Sequence, residues 1–150
     1  MWSNSANRFV KKEKNMRIML DSNILFSAFY LQSSEIAEMV KFIKNNHTIV
    51  LCECIIKDTK YNFHKKYPDK FNKLEEYLKY VYDEIFIIDN FNVDNYPKIR
   101  DIDDIEILAA AIEADVDLLI TGDNDFYEIK ILKPRILKPR QFIDEFINKL

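Results

Sequence analysis

The sequence predicts an α/β domain: a mostly parallel central sheet with helices on both faces. Three observations carry this expectation. Short β-branched or aliphatic runs alternate along the chain with segments whose apolar residues recur every three or four positions. One of the runs, DLLIT at 117–121, is apolar on both faces, as a central strand of a parallel sheet must be. The composition is also globular, with 48% apolar and 31% charged residues, and 11 Phe and 8 Tyr supply a large aromatic core. A chain of 150 residues is read as one domain that buries about two thirds of its unfolded surface.

Taken in order, residues 1–15 read as a polar tail, and residues 16–150 as the folded domain. RIML at 17–20 is the first strand, and Ser22 and Asn23 are placed to cap a helix that follows at once. SSEIAEMVKFIKNN has serine caps and places Ile36, Met39, Val40 and Ile43 on one helix face. HTIVL at 47–51 is the second strand, followed by a helix with Ile55, Ile56, Thr59 and Phe63. Pro68 opens another helix, with Phe71, Leu74, Leu78 and Val81 in a stripe. IFII at 85–88 is a third strand, closed by the loop DNFNVDNYP. Ile105, Leu108, Ala109 and Ile112 mark the next helix, where three successive alanines permit close packing on a sheet. DLLIT is the fourth strand, a last strand lies within IKILKPRIL, and RQFIDEFINK closes the chain as a helix. The tandem ILKPR at 131–135 and 136–140 is too short to define a repeat architecture.

Several functions are excluded. A single glycine, Gly122, cannot build a Walker or dinucleotide-binding loop. Two histidines, His47 and His64, cannot build a His-rich zinc centre. Cys52 and Cys54 have no second pair to complete a zinc site and are read as reduced thiols. No apolar stretch approaches the roughly 20 residues needed to span a bilayer, and the N-terminus lacks the apolar middle of a secretory signal. The expected location is therefore the cytoplasm, without membrane attachment.

The net charge of −3 conceals segregation. Between Asp83 and Asp125 stand 13 acidic residues against Lys98 and Arg100, with basic flanks on either side. In a doubly wound sheet, ligands bind beyond the carboxyl ends of the strands. Asp21 follows RIML, Asp104 opens the helix before DLLIT, and Asp123 and Asp125 follow that strand in TGDNDF. Asp58 lies on the helix after HTIVL. Singly, each reads as a helix cap, a dipole partner, a solvated side chain or a turn residue. Together at one sheet edge they repel one another unless a cation neutralises them. Oxygen donors without histidine favour Mg²⁺ or Mn²⁺, one or two ions, and suggest metal-assisted attack of water on a phosphodiester. Gly122 is given the task of turning the backbone so that Asp123 faces back over the strand ends.

At MLDSNILFSA (19–28), RDIDDIEILAAAIEADVDLLITGDNDF (100–126) and ILKPRQFIDEF (136–146), the chain resembles the PIN-domain family of ribonucleases, especially the VapC-like toxins of toxin–antitoxin pairs. The resemblance runs from about Arg17 to Ile147. It implies a PIN-like three-layer fold, with Asp21, Asp104 and Asp123 as catalytic, metal-binding carboxylates and Asp125 as a helper. Asp101 and Asp103 are expected to orient the helix start. The family usually carries a Glu on the helix after the second strand. Here Asp58 is favoured for that role over Glu53, which falls too close to the strand end. RNA hydrolysis would leave 5′-phosphate and 3′-hydroxyl ends. A small antitoxin protein and a homodimer are the partners implied.

For substrate, Lys57, Lys60, Lys65, Arg135 and Arg140 are the candidate phosphate contacts, Tyr61 or Phe63 the base-stacking candidates, and Ser22 and Asn23 supports for water or substrate. Two rivals remain. One is an inactive PIN-like module that binds RNA or protein, suggested by Asp58 in place of Glu. The other is a phosphoacceptor signalling domain with Asp89 as its nucleophile, a reading that leaves the Asp-Asp helix start and the GDND turn without a role.

Overall fold

The computed structural model describes residues 15–148. Of the polar tail expected over 1–15, all but Asn15 lies outside the described residues. Five parallel strands form one sheet in the order β3-β2-β1-β4-β5. They are β1 (Arg17–Leu20), β2 (Thr48–Cys52), β3 (Glu84–Phe86), β4 (Leu118–Ile120) and β5 (Arg135–Leu137). The helices are α1 (Ser22–Tyr30), α2 (Glu35–Asn46), α3 (Glu53–Lys66), α4 (Phe71–Val81), α5 (Ile102–Glu113) and the short α6 (Pro139–Phe142), which runs on into a π-helical turn at Ile143–Ile147. The expected α/β architecture is the one observed.

The chain winds from β1 through β2 to β3, then crosses back to β4 and β5. Right-handed crossovers put α1 to α4 on one face and α5 on the other. The reversal falls between β1 and β4, so the adjacent ends of these two strands form the switch point. Leu20 pairs with Ile120, which sets Asp21 and Thr121 side by side at the carboxyl edge. The Asp21 N–H extends the ladder by donating to the Ile120 carbonyl at 3.0 Å.

The core explains the register. Ile18, Met19, Leu20, Val50, Leu51, Leu119 and Ile120 are fully buried, as central strands covered on both faces require. Ala109, Ala110 and Ala111 are also fully buried, so α5 lies close against the sheet. Ser34 caps α2 by accepting from the Ala37 N–H at 3.1 Å. Phe26, Phe29, Phe63 and Tyr67 interlock between α1 and α3, with Phe29 and Phe63 edge to face at 5.1 Å between centroids.

Four local expectations differ. Asp21, rather than Ser22 or Asn23, caps α1: its carboxylate accepts from the Ser22 N–H at 2.7 Å. Pro68 opens a 3₁₀ turn (Pro68–Lys70) before α4. The third strand is shorter than IFII, because Ile87 lies beyond the edge of the sheet and is exposed. Cys52 and Cys54 are joined in a disulfide, not free thiols: the turn from β2 into α3 brings their Cα atoms to 5.3 Å, within bridging range. No helix among the described residues is long and apolar enough to cross a membrane.

Candidate active site

The carboxyl edge holds a cavity of about 470 Å³ whose lining includes Asp21, Asp58, Asp101, Asp103, Asp104 and Asp123, with Lys57 its one cationic residue among the described residues. Four elements deliver these acids. Asp21 stands at the end of β1 and Asp58 on the second turn of α3. Asp101 caps α5, accepting from the Asp103 N–H at 3.0 Å, and thereby presents Asp104 in the first helical turn. Asp123 follows β4 and accepts from the Asp125 N–H at 2.9 Å, which folds the backbone into a 3₁₀ turn at Asn124–Glu128.

Gly122 is not what makes this turn. Its φ is not positive, and a Cβ built there would meet nothing within 4 Å. The turn is held instead by side chains, and not by the conformational freedom expected of the glycine. Thr121, fully buried, donates its hydroxyl to Asp21 Oδ2 at 2.7 Å and accepts from the Asp123 N–H at 3.0 Å. The Tyr127 hydroxyl donates to the Thr121 carbonyl from behind. Thr121 and Tyr127 were given no role by sequence reasoning. The signal was available for Thr121, a hydroxyl between an apolar strand and the Gly-Asp turn.

One carboxylate oxygen from each of Asp104, Asp123 and Asp125 lies within 4.8 Å of the other two. Asp21 lines the same cavity beside this trio. Asp58 accepts from the Ser22 hydroxyl at 2.5 Å and from the Asn62 amide at 3.4 Å, which fixes its position across the cavity. Glu53 lies elsewhere, paired with Lys57 at 3.1 Å, so the geometry brings Asp58 and not Glu53 to the acids.

The electrostatics follow from burial and crowding. Burial pushes the Asp21 carboxyl up from its ordinary value, the hydrogen bonds from Thr121 and Ser22 pull it back down, and nearby Asp123 and Asp58 raise it again. Asp104 is pushed up to about 7, first by desolvation and then by Asp123, Asp101 and Asp21. The Tyr127 hydroxyl is pushed up for the same reasons, burial first and then Asp21 and Asp123. Close carboxylates in a half-buried cavity hold protons until a cation replaces them. Three oxygen donors of one charge, with no histidine or thiolate among them, suit a hard divalent ion such as Mg²⁺ or Mn²⁺.

The substrate candidates divide. Lys57, Ser22 and Asn23 line the cavity, as does Tyr61, whose ring is 68% exposed. Lys65 is exposed but does not line it. Lys60 is tied to Glu75 at 3.2 Å. Arg135 makes a two-pronged pair with Glu145 from the amino end of β5, the far edge of the sheet. Arg140 bridges Glu35 and Asp144. Phe63 is a fully buried core residue and cannot stack on a base. Asp89 is exposed beyond edge strand β3 and does not line the acidic cavity.

Residues 17–125 match the PIN domain family model, well over half of the chain. The chain belongs to the PIN-domain family. Among solved structures it is similar to a chain in the crystal structure of VapBC2 from Rickettsia felis bound to a DNA fragment from their promoter. The match has a TM-score of 0.67 and 17% identity, and covers 82% of this chain and 98% of the other. A search of curated proteins gives no match.

Proposed function

We propose that this PIN domain is a Mg²⁺- or Mn²⁺-dependent endoribonuclease and the toxin of a toxin–antitoxin pair. The observation that carries the reading is the convergence of Asp21, Asp104, Asp123 and Asp125 from three distant stretches of chain, with Asp58 facing them and Lys57 in the cavity wall. Asp104, Asp123 and Asp125 would hold the ion, with Asp21 beside them. A bound divalent ion would polarise the phosphoryl oxygens and make water a better nucleophile at neutral pH.

The protein's own groups do the rest. Thr121 locks the Asp21 carboxylate in one orientation through its hydroxyl. Asp58 orients the Ser22 hydroxyl at the cavity wall. Lys57, exposed and paired with Glu53 on its own helix, would turn to a phosphate from the cavity wall, and the exposed Tyr61 ring offers a face to an unpaired base, which suits single-stranded or looped RNA. The likeness to VapBC2 supports a small protein antitoxin that covers the acidic cavity, and a homodimer and cytoplasmic action accompany that reading. The rival phosphoacceptor role loses support because Asp89 stands apart from the acids.

The deciding assay incubates a pool of RNA with the wild type and with Asp104→Asn, in Mg²⁺, in Mn²⁺ and with chelator. Cleavage by the wild type with either metal, lost in the variant and with chelator, is expected. Cleavage that survives both the substitution and chelation removes the hypothesis.

A further inference from the structure

The basic residues expected to meet phosphate are mostly neutralised within the fold, yet a different set of cations borders the acidic site. A second cleft, of about 410 Å³, is lined by Lys98 and Arg100 from the loop before α5, by Lys130 from the segment after the Asn124–Glu128 turn, and by two acids of that turn, Asp125 and Glu128. Asp125 is shared: it belongs to the acidic trio on one side and to this cleft on the other. Arg100 reaches it at 3.1 Å while its own side chain is 86% exposed. Lys98 and Lys130 are exposed and make no ion pair among the described residues. Ile99 and Ile129 add an apolar floor between them.

We propose that this cleft receives the sugar–phosphate backbone of single-stranded RNA, next to the bond held at the acidic trio. Asp125 places this cleft directly beside the acidic trio, so a strand with one phosphate at the trio would lay its neighbouring backbone over the cleft. Lys98 and Lys130 supply unspent charge along that path, whereas Lys60, Arg135 and Arg140 have theirs cancelled by Glu75, Glu145, and Glu35 with Asp144. Arg100, fully charged and forked, bridges to a phosphate once Asp125 is otherwise engaged. Three cations against two acids, Asp125 and Glu128, leave the open cleft net positive, which suits a flexible polyanion. The proposal relies on the nuclease reading for which bond the cleft serves, but not for whether RNA binds there.

The test is equilibrium binding of a fluorescent single-stranded oligoribonucleotide to the full chain, in chelator and over a salt series. The Lys98→Ala/Lys130→Ala double variant is expected to bind roughly tenfold more weakly, with its log–log salt slope reduced by about 1.4, since each lost single-strand phosphate contact removes about 0.7. A Lys60→Ala/Arg135→Ala control is expected to match the wild type. With metal present, the double variant should raise KM for a long RNA and leave kcat unchanged. Unaltered affinity and slope in the double variant would overturn the proposal, as would a wild type that binds no RNA. Displacement of the RNA by polyglutamate at equal charge concentration would also overturn it, in favour of an acidic polypeptide. A wild type that binds through these lysines but cleaves nothing with either metal would leave the cleft standing and remove the nuclease reading alone.

Discussion

The two edges of the sheet are both rich in carboxylates, and they treat them in opposite ways. At the amino edge every acid at a strand start has a partner. Arg17 pairs with Glu84, Lys133 with Asp115 and Asp117, and Lys44 with Asp83. Asp117 and Asp83 also accept from the backbone N–H groups of Arg17 and Ile49, each at 2.8 Å. There the charges tie neighbouring strands together. At the carboxyl edge, among the described residues, six Asp and Glu106 line one cavity with a single Lys, and two of the Asp are held above their ordinary pKa values. The same residue type builds structure where its charge is compensated internally, and leaves a demand for an outside cation where it is not.

The contrast is most sharply broken by substitution at each edge. Asp104→Asn is expected to cut RNA cleavage by about a thousandfold or more while raising the melting temperature of the metal-free protein, because it removes one of several mutually repelling acids. A lowered melting temperature would show that Asp104 contributes structure instead. Added Mg²⁺ or Mn²⁺ should stabilise the wild type, by about 2.7 kcal/mol at a hundred times its Kd, and leave Asp104→Asn nearly unmoved in thermal melts. At the other edge, Asp117→Ala should cost about 1–3 kcal/mol in denaturant unfolding, by stripping the acceptor from the Arg17 N–H, with cleavage per folded molecule unchanged.

Dependence on pH sharpens the same comparison. The Asp104 carboxyl ionises near 3.8 in the unfolded chain and near 7 when folded. Between these values the folded state holds the proton that the unfolded state has lost, so this group makes the metal-free protein less stable as pH rises from about 4 to 7. Asp21 is shifted in the same direction. Saturating Mg²⁺ should remove this slope, and cation affinity should rise through pH 7 as the proton leaves. Unfolding curves at several pH values, with and without the ion, check both. The smallest expected effect is at the turn itself. Gly122→Ala should change stability by less than about 1 kcal/mol, in the stabilising direction, since the φ there needs no glycine.

Much of the fold was legible in one dimension because its signals are local. Helical spacing in α2 and the two-sided apolar run of β4 depend only on near neighbours, and both were read correctly. The carboxylates at strand ends were legible for the same reason, since a parallel sheet puts the end of every strand on one edge. The surroundings of Lys60, Arg135, Arg140 and Phe63 were not legible because they come from other segments: a counter-ion on α4, at Glu35 or on the last helix, or an aromatic neighbour on α1. The disulfide depended on the turn that α3 makes at its first residue, and the role of Thr121 on the alignment of β1 with β4.

By itself, then, the order of residues determined which stretches become strands and helices, and that acids would gather beyond the strand ends, because periodicity and chain connectivity are written along the backbone. Only the tertiary structure decided which charges are cancelled and which are left open. Coulomb energy depends on distances between side chains far apart in the chain, and the meeting of Asp21, Asp58, Asp104 and Asp123 is a property of the folded sheet alone.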